Sequence, residues 1–246
     1  TRALKSAWAE NDQLPIFSDI AIKKDGTSSA LPISYTRGAT EGVWNPPSAD
    51  EQWYFSDAIR QHNFYTYFPV GSATDYTAVP IPDISGQDGT QDVQTLKEGH
   101  DFMRGTSVAT KDIVMANIQM VRVFAIVNLN VRLKQDAFTN NAATLTDVTS
   151  VNSLPLVNPA PANVATVNLS DGQVACTGGL TTYTLHPNGG FALTPTSISI
   201  PIMIYPQHST ISVAFTIGGK TSVTQALSTT NFVGGRVYNY AVEIGA

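Results

Sequence analysis

The residue types that most often carry out chemistry are few in this chain and lie far apart. The four histidines are His62, His100, His186 and His208, and none has a second metal ligand at helical or hairpin spacing. A zinc site would need ligands that meet only in the folded chain. We therefore interpret the histidines as solvated or hydrogen-bonded side chains and predict no metal site.

Three aspartates in one glycine-rich loop make calcium the metal to consider. Asp83, Asp88 and Asp92 offer carboxylate oxygens, but they lack the Asp-x-Asp-x-Asp-Gly spacing and the distal glutamate of a calcium loop. A soluble loop is the better interpretation. The other carboxylates of the first half single out no pair for glycoside hydrolysis, because the separation of such a pair is spatial.

Nucleophilic catalysis has no support in the sequence. There is no Gly-x-Ser-x-Gly elbow, and no phosphate-binding glycine loop precedes a helix. The single cysteine, Cys176, has no neighbouring histidine and suits a small, buried apolar position. We predict that the protein is not an enzyme and that it binds no cofactor.

Two further features could bind a ligand. Aromatic residues of the first half could stack on a sugar, although aromatics in the core of a sandwich are more common; they are Trp8, Trp44, Trp53, Tyr54, Tyr65 and Tyr67. The second feature is Arg122, a charged residue inside an apolar run. We expect its guanidinium to reach the surface or to pair with a carboxylate.

Composition is typical of a globular extracellular protein. The 246 residues are 42% hydrophobic and 13% charged, and this charged share is about half of the usual one. A net charge of −5 gives no basic surface for nucleic acid. With one cysteine there is no disulfide framework, which fits a bacterial surface protein better than a secreted animal domain. No run approaches about 18 apolar residues, so no membrane span is expected.

The charged residues are concentrated in the first half of the chain. Residues 1–134 hold 12 basic and 15 acidic side chains, whereas residues 135–246 hold 2 and 4. Because this change falls just after residue 134, we predict an N-terminal domain, 1–134, and a C-terminal domain, 135–246.

The elements that must position these residues are predicted to be strands. The run from Ile118 to Leu133 is the longest, and its odd positions from 121 onward are all apolar, which is the period of a strand. Its first half is apolar on both faces, whereas its second half has one polar face. A strand of this length is expected to bend at a bulge or to cross a sandwich and lead out of it.

Short strands with frequent turns fill the rest of the chain. Asp92 could cap a short helix that ends at Gly99, and Pro201 inside an alternating run predicts an edge strand or a bulge. The clearest strands are Asn63 to Val70, Ile198 to Ile204, the hairpin around Gly218-Gly219, and Arg236 to Ile244. This pattern predicts an all-β fold of two tandem β-sandwich domains.

Six segments, in order along the whole chain, are similar to motifs of the fimbrillin family, the type V pilins of Bacteroidetes. They are Thr1-Arg2-Ala3 with Trp8 and Asp12, Tyr35 through Trp44, Phe64-Tyr65-Thr66-Tyr67-Phe68-Pro69, Asp101-Phe102-Met103-Arg104-Gly105, the long run, and Gly235-Arg236-Val237-Tyr238-Asn239-Tyr240. The chain departs from the family at Asn11, where the family has glycine, and at Arg122, which stands in place of a histidine.

The resemblance implies two transthyretin-like domains of Greek-key, immunoglobulin-like topology, without catalysis. It implies export as a lipoprotein to the outer membrane of a Gram-negative bacterium, where an arginine-specific protease removes an N-terminal strand. A strand from the next subunit then fills the emptied groove. The partners would be other pilin subunits, with a host protein or glycan as a further candidate; stalk, tip and anchor roles all fit.

Two sets of residues follow from this resemblance. Arg2 stands where the protease would cut, and since the family's first strand would precede it, the N-terminal domain is expected to have an unfilled groove. The candidate donor is the C-terminal strand, whose alternating apolar residues suit insertion; they are Val237, Tyr238, Tyr240, Val242 and Ile244. The alternative is that this strand stays paired within its own sheet. A different class of function is a carbohydrate-binding or other adhesive surface module that uses the first-half aromatics.

Overall fold

The computed structural model describes residues 7–110, 112, 116–157, 165–222 and 224–245. Its strands in the first half are β1 (Gln13–Ser18), β2 (Ile33–Arg37), β3 (Trp44–Asn45), β4 (His62–Phe68), β5 (Val79–Pro80), β6 (Met103–Ala109), β7 (Gln119–Arg122) and β8 (Ala125–Leu133). The second half contributes β9 (Ala143–Val151), β10 (Ala165–Val167), β11 (Val174–Cys176), β12 (Thr182–Leu185), β13 (Phe191–Leu193), β14 (Ile198–Ile204), β15 (Ser212–Ile217), β16 (Lys220–Thr221), β17 (Gln225–Ala226) and β18 (Val237–Ile244). One α-helix, α1 (Val93–Gly99), and a 3-10 turn (Thr139–Asn141) complete the described elements.

The predicted all-β fold is confirmed, and the strands form four sheets. Sheet I is antiparallel and has the order β3-β2-β1-β4-β6-β7. Sheet II has the order β11-β10-β5, and sheet III has the order β12-β9-β15-β16, with β13 also paired to β9 and β17 to β15. Sheet IV has the order β14-β8-β18. The finer description as two transthyretin-like sandwiches stays a prediction.

The long run from Ile118 to Leu133 is two strands in two different sheets, so the prediction of a single strand that bends or leads out of a sandwich is wrong in making it one strand. The chain leaves β7 in sheet I at Arg122 and enters β8 in sheet IV at Ala125. Between them, the Val123 amide donates to the Phe102 carbonyl at 3.0 Å, and the Phe124 carbonyl accepts from the Gly235 amide at 2.8 Å. These bonds to two different segments turn the backbone out of sheet I.

The predicted change of burial along the run is observed only in part, because β7 has no buried residue and the polar side chain of Asn128 is buried instead of facing water. In β8, every residue from Ala125 to Leu129 is buried, whereas Asn130 is half-buried and Arg132 is exposed. The two partners of this strand, β14 and β18, both come from the second half of the chain. Sheet IV therefore takes strands from both sides of residue 134, and the boundary between residues 134 and 135 stays a prediction.

The main core is continuous across the sheets. It combines side chains of sheet I, such as Phe17 and Tyr67, with β8, β9, β14 and β15. Strand β14 lies at the edge of sheet IV, as the proline at position 201 predicts for a strand that cannot donate there.

The loop before α1 covers the edge of sheet IV through a buried glutamine. Gln87 Nε2 donates to the carbonyls of Ile84 (2.6 Å) and Met203 (2.8 Å), and its Oε1 accepts from the Met203 amide at 2.6 Å. The Tyr183 hydroxyl donates to the Ser85 carbonyl at 2.6 Å, and burial raises the pKa of Tyr183 to about 12. Farther on, Asp92 caps α1 by accepting from the Thr95 amide, as predicted.

Replacing Gln87 by leucine is expected to lower the free energy of unfolding by about 2–3 kcal/mol. The change removes the hydrogen-bond partner of buried backbone groups of Met203 and Ile84. Urea unfolding followed by circular dichroism measures the loss. The control is Gln94→Leu on the exposed face of α1, where a change within about 0.5 kcal/mol is expected. Equal losses in the two variants would contradict the proposed role of Gln87 in fixing the loop.

Candidate functional site

The C-terminal strand lies in its own sheet, paired in parallel with β8 over all eight of its residues. The pairing runs from Val237 opposite Ile126 to Ile244 opposite Leu133. All five proposed donor residues are half-buried and pack against the main core; they are Val237, Tyr238, Tyr240, Val242 and Ile244. The residues between them, Asn239, Ala241 and Glu243, are exposed. The alternating apolar residues that suggested a donor strand pack against the main core of the same chain. The donor role of β18 stays a prediction.

Side-chain bonds reinforce this parallel pairing. The Asn128 amide donates to Asn239 Oδ1 at 2.9 Å and accepts from the Ser199 hydroxyl at 2.6 Å, so one residue links all three strands of sheet IV. Arg132 and Glu243 form an ion pair at 2.8 Å directly across the same two strands. On its other side β18 has no strand partner among the described residues, so it is an edge strand.

The two faces of sheet I differ in how completely they are covered. One face packs into the main core through Phe17 and Tyr67. The opposite face, here called the outer face, has a separate cluster with five buried apolar residues, Leu14, Ile16, Ala21, Phe64 and Ala109. Eight partly buried side chains pack around them: Trp8, Tyr35, Trp44, Trp53, Phe55, Phe68, Ile118 and Met120. With more half-buried than buried members, the outer face is an apolar surface that the described residues cover only in part.

The six aromatics considered as a sugar platform do not share one surface. Tyr65 and Tyr67 lie on the core side of β4, where Tyr65 stacks on Tyr76 with a 4.4 Å centroid separation. Trp8, Trp44 and Trp53 belong to the outer face. Trp8 contacts both Trp44 and Phe68 edge-on at 5.3 Å, and Trp53 Nε1 donates to the Ile16 carbonyl at 2.8 Å. Their rings pack against the protein itself, so no observation favours the platform.

The aspartates and histidines considered for metal binding have local roles. Asp83 and Asp88 accept hydrogen bonds from the backbone amides of Ser85 and Thr90, two residues farther along, and Asp92 caps α1. His62 is fully buried, with its ring nitrogens near Ser56 and the Arg60 carbonyl. In the part of the chain that the structure describes, no three His, Cys, Asp or Glu residues are grouped to hold a metal ion.

Cys176 is half-buried in β11, where burial raises the pKa of its thiol and disfavours the thiolate. None of the helices formed by the described residues is long and apolar enough to cross a membrane. Arg2, the predicted processing site, lies outside the described residues.

Arg122 pairs with a carboxylate, as predicted, although its partner could not be identified from the sequence. Its Nε lies 3.1 Å from Asp101 Oδ1, and the Asp101 side chain is only 3% exposed. Asp101 precedes β6, whereas Arg122 ends β7, the strand paired with it. The signal that could have found Asp101 is its position beside β6, which becomes informative only when the pairing of β6 with β7 is known.

Replacing Arg122 by methionine is expected to lower the free energy of unfolding by about 3 kcal/mol, because it leaves the buried Asp101 carboxylate without its cation. The matched control is Arg132→Met, whose partner Glu243 is 45% exposed. That change is expected to cost less than about 1 kcal/mol, as for other exposed ion pairs. Denaturant titrations of both variants make the comparison, and a smaller loss at Arg122 than at Arg132 would contradict it.

Comparison with known proteins gives one family and one fold. The family described as Fimbrillin-like matches residues 1–246. A search of curated proteins found no match. A solved protein of proposed cell-adhesion function from Bacteroides uniformis is 18% identical with a TM-score of 0.56, and the match covers 99% of this chain and 90% of that one. A similar protein from Bacteroides ovatus is 15% identical with a TM-score of 0.54, covering 98% and 85%. At these identities the two structures establish the fold alone. The family match over the full length confirms the resemblance found in the six segments: the chain belongs to the fimbrillin-like family.

Proposed function

We propose that this protein is a non-enzymatic subunit of a cell-surface fimbria, which joins other subunits by β-strand exchange and mediates adhesion. Membership in the fimbrillin-like family supports the fimbrial role. The observation that carries the assembly mechanism is the outer face of sheet I, where half-buried apolar side chains outnumber buried ones. An added strand would remove that apolar surface from water, and this burial would favour association.

The acceptor in this proposal is the outer face, and the donor is β18 of another subunit. Strand β18 suits this role because it is an edge strand with one apolar side and one polar side. Donation requires that β18 leave β8, with which it is paired over its whole length. Arg2 remains the proposed processing site, and the proposed location is the outer-membrane surface of a Gram-negative bacterium, with a lipid anchor on the precursor.

A disulfide that locks β18 to β8 is expected to block assembly until it is reduced. Arg132→Cys with Glu243→Cys places two thiols on directly paired positions, and Cys176→Ser removes the native thiol. The chain is treated with an arginine-specific protease and followed by negative-stain microscopy and size-exclusion chromatography. We expect filaments from the unlocked chain, and from the locked chain only after reduction.

Each single-cysteine variant is a control for this experiment, since it carries a substitution without the cross-link. Filaments from the oxidised, locked chain would show that β18 is not the donor. If even the unlocked chain stays monomeric with and without protease, the proposed self-assembly is wrong.

A synthetic peptide with the sequence of residues 236–244 is expected to bind the outer face and to change the fluorescence of the chain. All three tryptophans, Trp8, Trp44 and Trp53, lie on that face, and the peptide contains none. An aspartate in place of Tyr240 or Val242 in the peptide is expected to weaken binding at least about tenfold, because a charge would be buried without a partner.

The control peptide carries aspartate in place of Ala241, which is exposed when the strand is paired. It is expected to bind like the parent peptide. Equal binding of all four peptides, or no change in tryptophan fluorescence, would contradict the outer face as a strand acceptor.

A further inference from the structure

A cleft of about 260 Å³ opens where the edge of sheet I meets three loops from the second half of the chain. Strands β6 and β7 contribute Arg104, Val121 and Arg122 to its lining. The turn at residues 171–173 and the segments 206–208 and 231–234 form the other walls. This volume is below the range of about 300–1,000 Å³ for pockets of drug-sized ligands, so the cleft suits a small ligand such as one sugar ring.

Arg104 is held in a fixed position at one wall of the cleft. Its Nη1 donates to the Leu169 carbonyl at 2.6 Å, the one hydrogen bond that the described residues give its guanidinium. The guanidinium packs directly against Gly172, where a Cβ would stand 2.6 Å from Nε. Since a guanidinium has five N–H donors, most of them remain for a ligand.

Basic side chains are concentrated around this cleft. Arg122 lines both the cleft and a smaller neighbouring pocket, whose lining includes Lys97 and Arg236. With Arg104, these make four of the 14 Lys and Arg residues of a chain whose net charge is −5. Asp171 is the one carboxylate in the lining, and its Oδ1 accepts from the Gln173 amide in the turn. The charge of Arg122 is balanced by its ion pair with the buried Asp101. The excess of positive charge that remains, from Arg104, Lys97 and Arg236, favours an anionic ligand.

Gln207 supplies a buried donor that lacks a partner. The residue is 6% exposed, and its Oε1 accepts from Asn152, whose own Oδ1 accepts from Ser209 at 2.7 Å. This network fixes the orientation of the amide and leaves Gln207 Nε2 without a hydrogen bond among the described residues. Nε2 itself has almost no accessible surface, so a ligand hydroxyl in the cleft would reach this donor only after a shift of the cleft wall.

The rest of the lining provides both polar and apolar contacts. Gln173 and Asn231 carry amides, which can donate to hydroxyls and accept from them. Val121 and Val233 are 47% and 40% exposed, so they present apolar surface to anything in the cleft. Arginines together with amides and exposed apolar groups match a sugar ring that bears a carboxylate.

We propose that this cleft binds an acidic sugar, a uronic or sialic acid residue of a glycan. The guanidinium of Arg104 binds the carboxylate, and the side-chain amides of Gln173 and Asn231 exchange hydrogen bonds with ring hydroxyls. Val121 and Val233 contact the apolar face of the ring. This site is separate from the outer face of sheet I.

Binding is tested on the intact chain by nuclear magnetic resonance titration with D-glucuronate and with the methyl glycoside of N-acetylneuraminate. Glucose and N-acetylglucosamine are the neutral comparisons, and acetate tests for a simple anion site. We expect the acidic sugars to shift resonances of the cleft residues and the neutral sugars to leave them unchanged. Arg104→Gln is expected to weaken binding at least about tenfold, the effect of losing a charge-assisted hydrogen bond.

The matched control is Arg60→Gln, which changes the net charge equally at an exposed arginine paired with Asp57. It is expected to bind like the parent chain. Val233→Trp, which fills the cleft without changing its charge, is expected to abolish binding, and thermal melts verify that each variant is folded.

Three results would overturn the proposal. The first is no cleft shift with either acidic sugar, and the second is acetate binding as tightly as glucuronate. The third is equal weakening by Arg104→Gln and Arg60→Gln. An acidic peptide that binds the cleft when neither sugar does would assign it to a protein partner instead.

Discussion

The structure depends on the hydrogen bonding of strand β8 to a neighbouring strand along each of its two edges. It lies between an antiparallel neighbour, β14, and a parallel neighbour, β18, and its first five residues are buried on both faces. A strand in this position can leave no backbone group unpaired, since water is not available to replace a partner. Both partners come from the other half of the chain, and this pairing joins the two halves into one continuous core.

The alternating pattern of the sequence was sufficient to predict the strands but not their partners. Strand β14 has the predicted bounds, and the last strand begins within one residue of its predicted start. The break at Val123-Phe124 could not be predicted, because both residues are apolar and fit a continuous strand as well as a turn between two sheets. The run is divided by the hydrogen bonds of Val123 to Phe102 and of Phe124 to Gly235. These partners are near the run in space but distant from it in sequence. The parallel pairing of β18 with β8 could not be predicted from the sequence either, because residues 134–236 separate the two strands.

The same limit applies to the candidate sites. The pairing of Arg122 with a carboxylate could be predicted because an unpaired charge in an apolar run is unfavourable. The identity of Asp101 could not, because it depends on the pairing of β6 with β7. Gln207 gives no signal in the sequence at all, since only the network with Asn152 shows which end of its amide lacks a partner. The aromatic strand β4 was predicted as a strand, but its two faces lie against different clusters, which contain Tyr65 and Phe64 respectively.

The parallel pairing of β8 and β18 determines how the molecule resists tension. A force that pulls the C-terminus away from the first half of the chain acts along β18 in one direction and along β8 in the other. Because the two strands run the same way, this load shears the row of bonds from Val237 to Ile244 and strains them all at once. An antiparallel hairpin pulled at its two free ends would open one bond at a time. The fold thus places a shear-resistant pairing at β18, the last of the described strands.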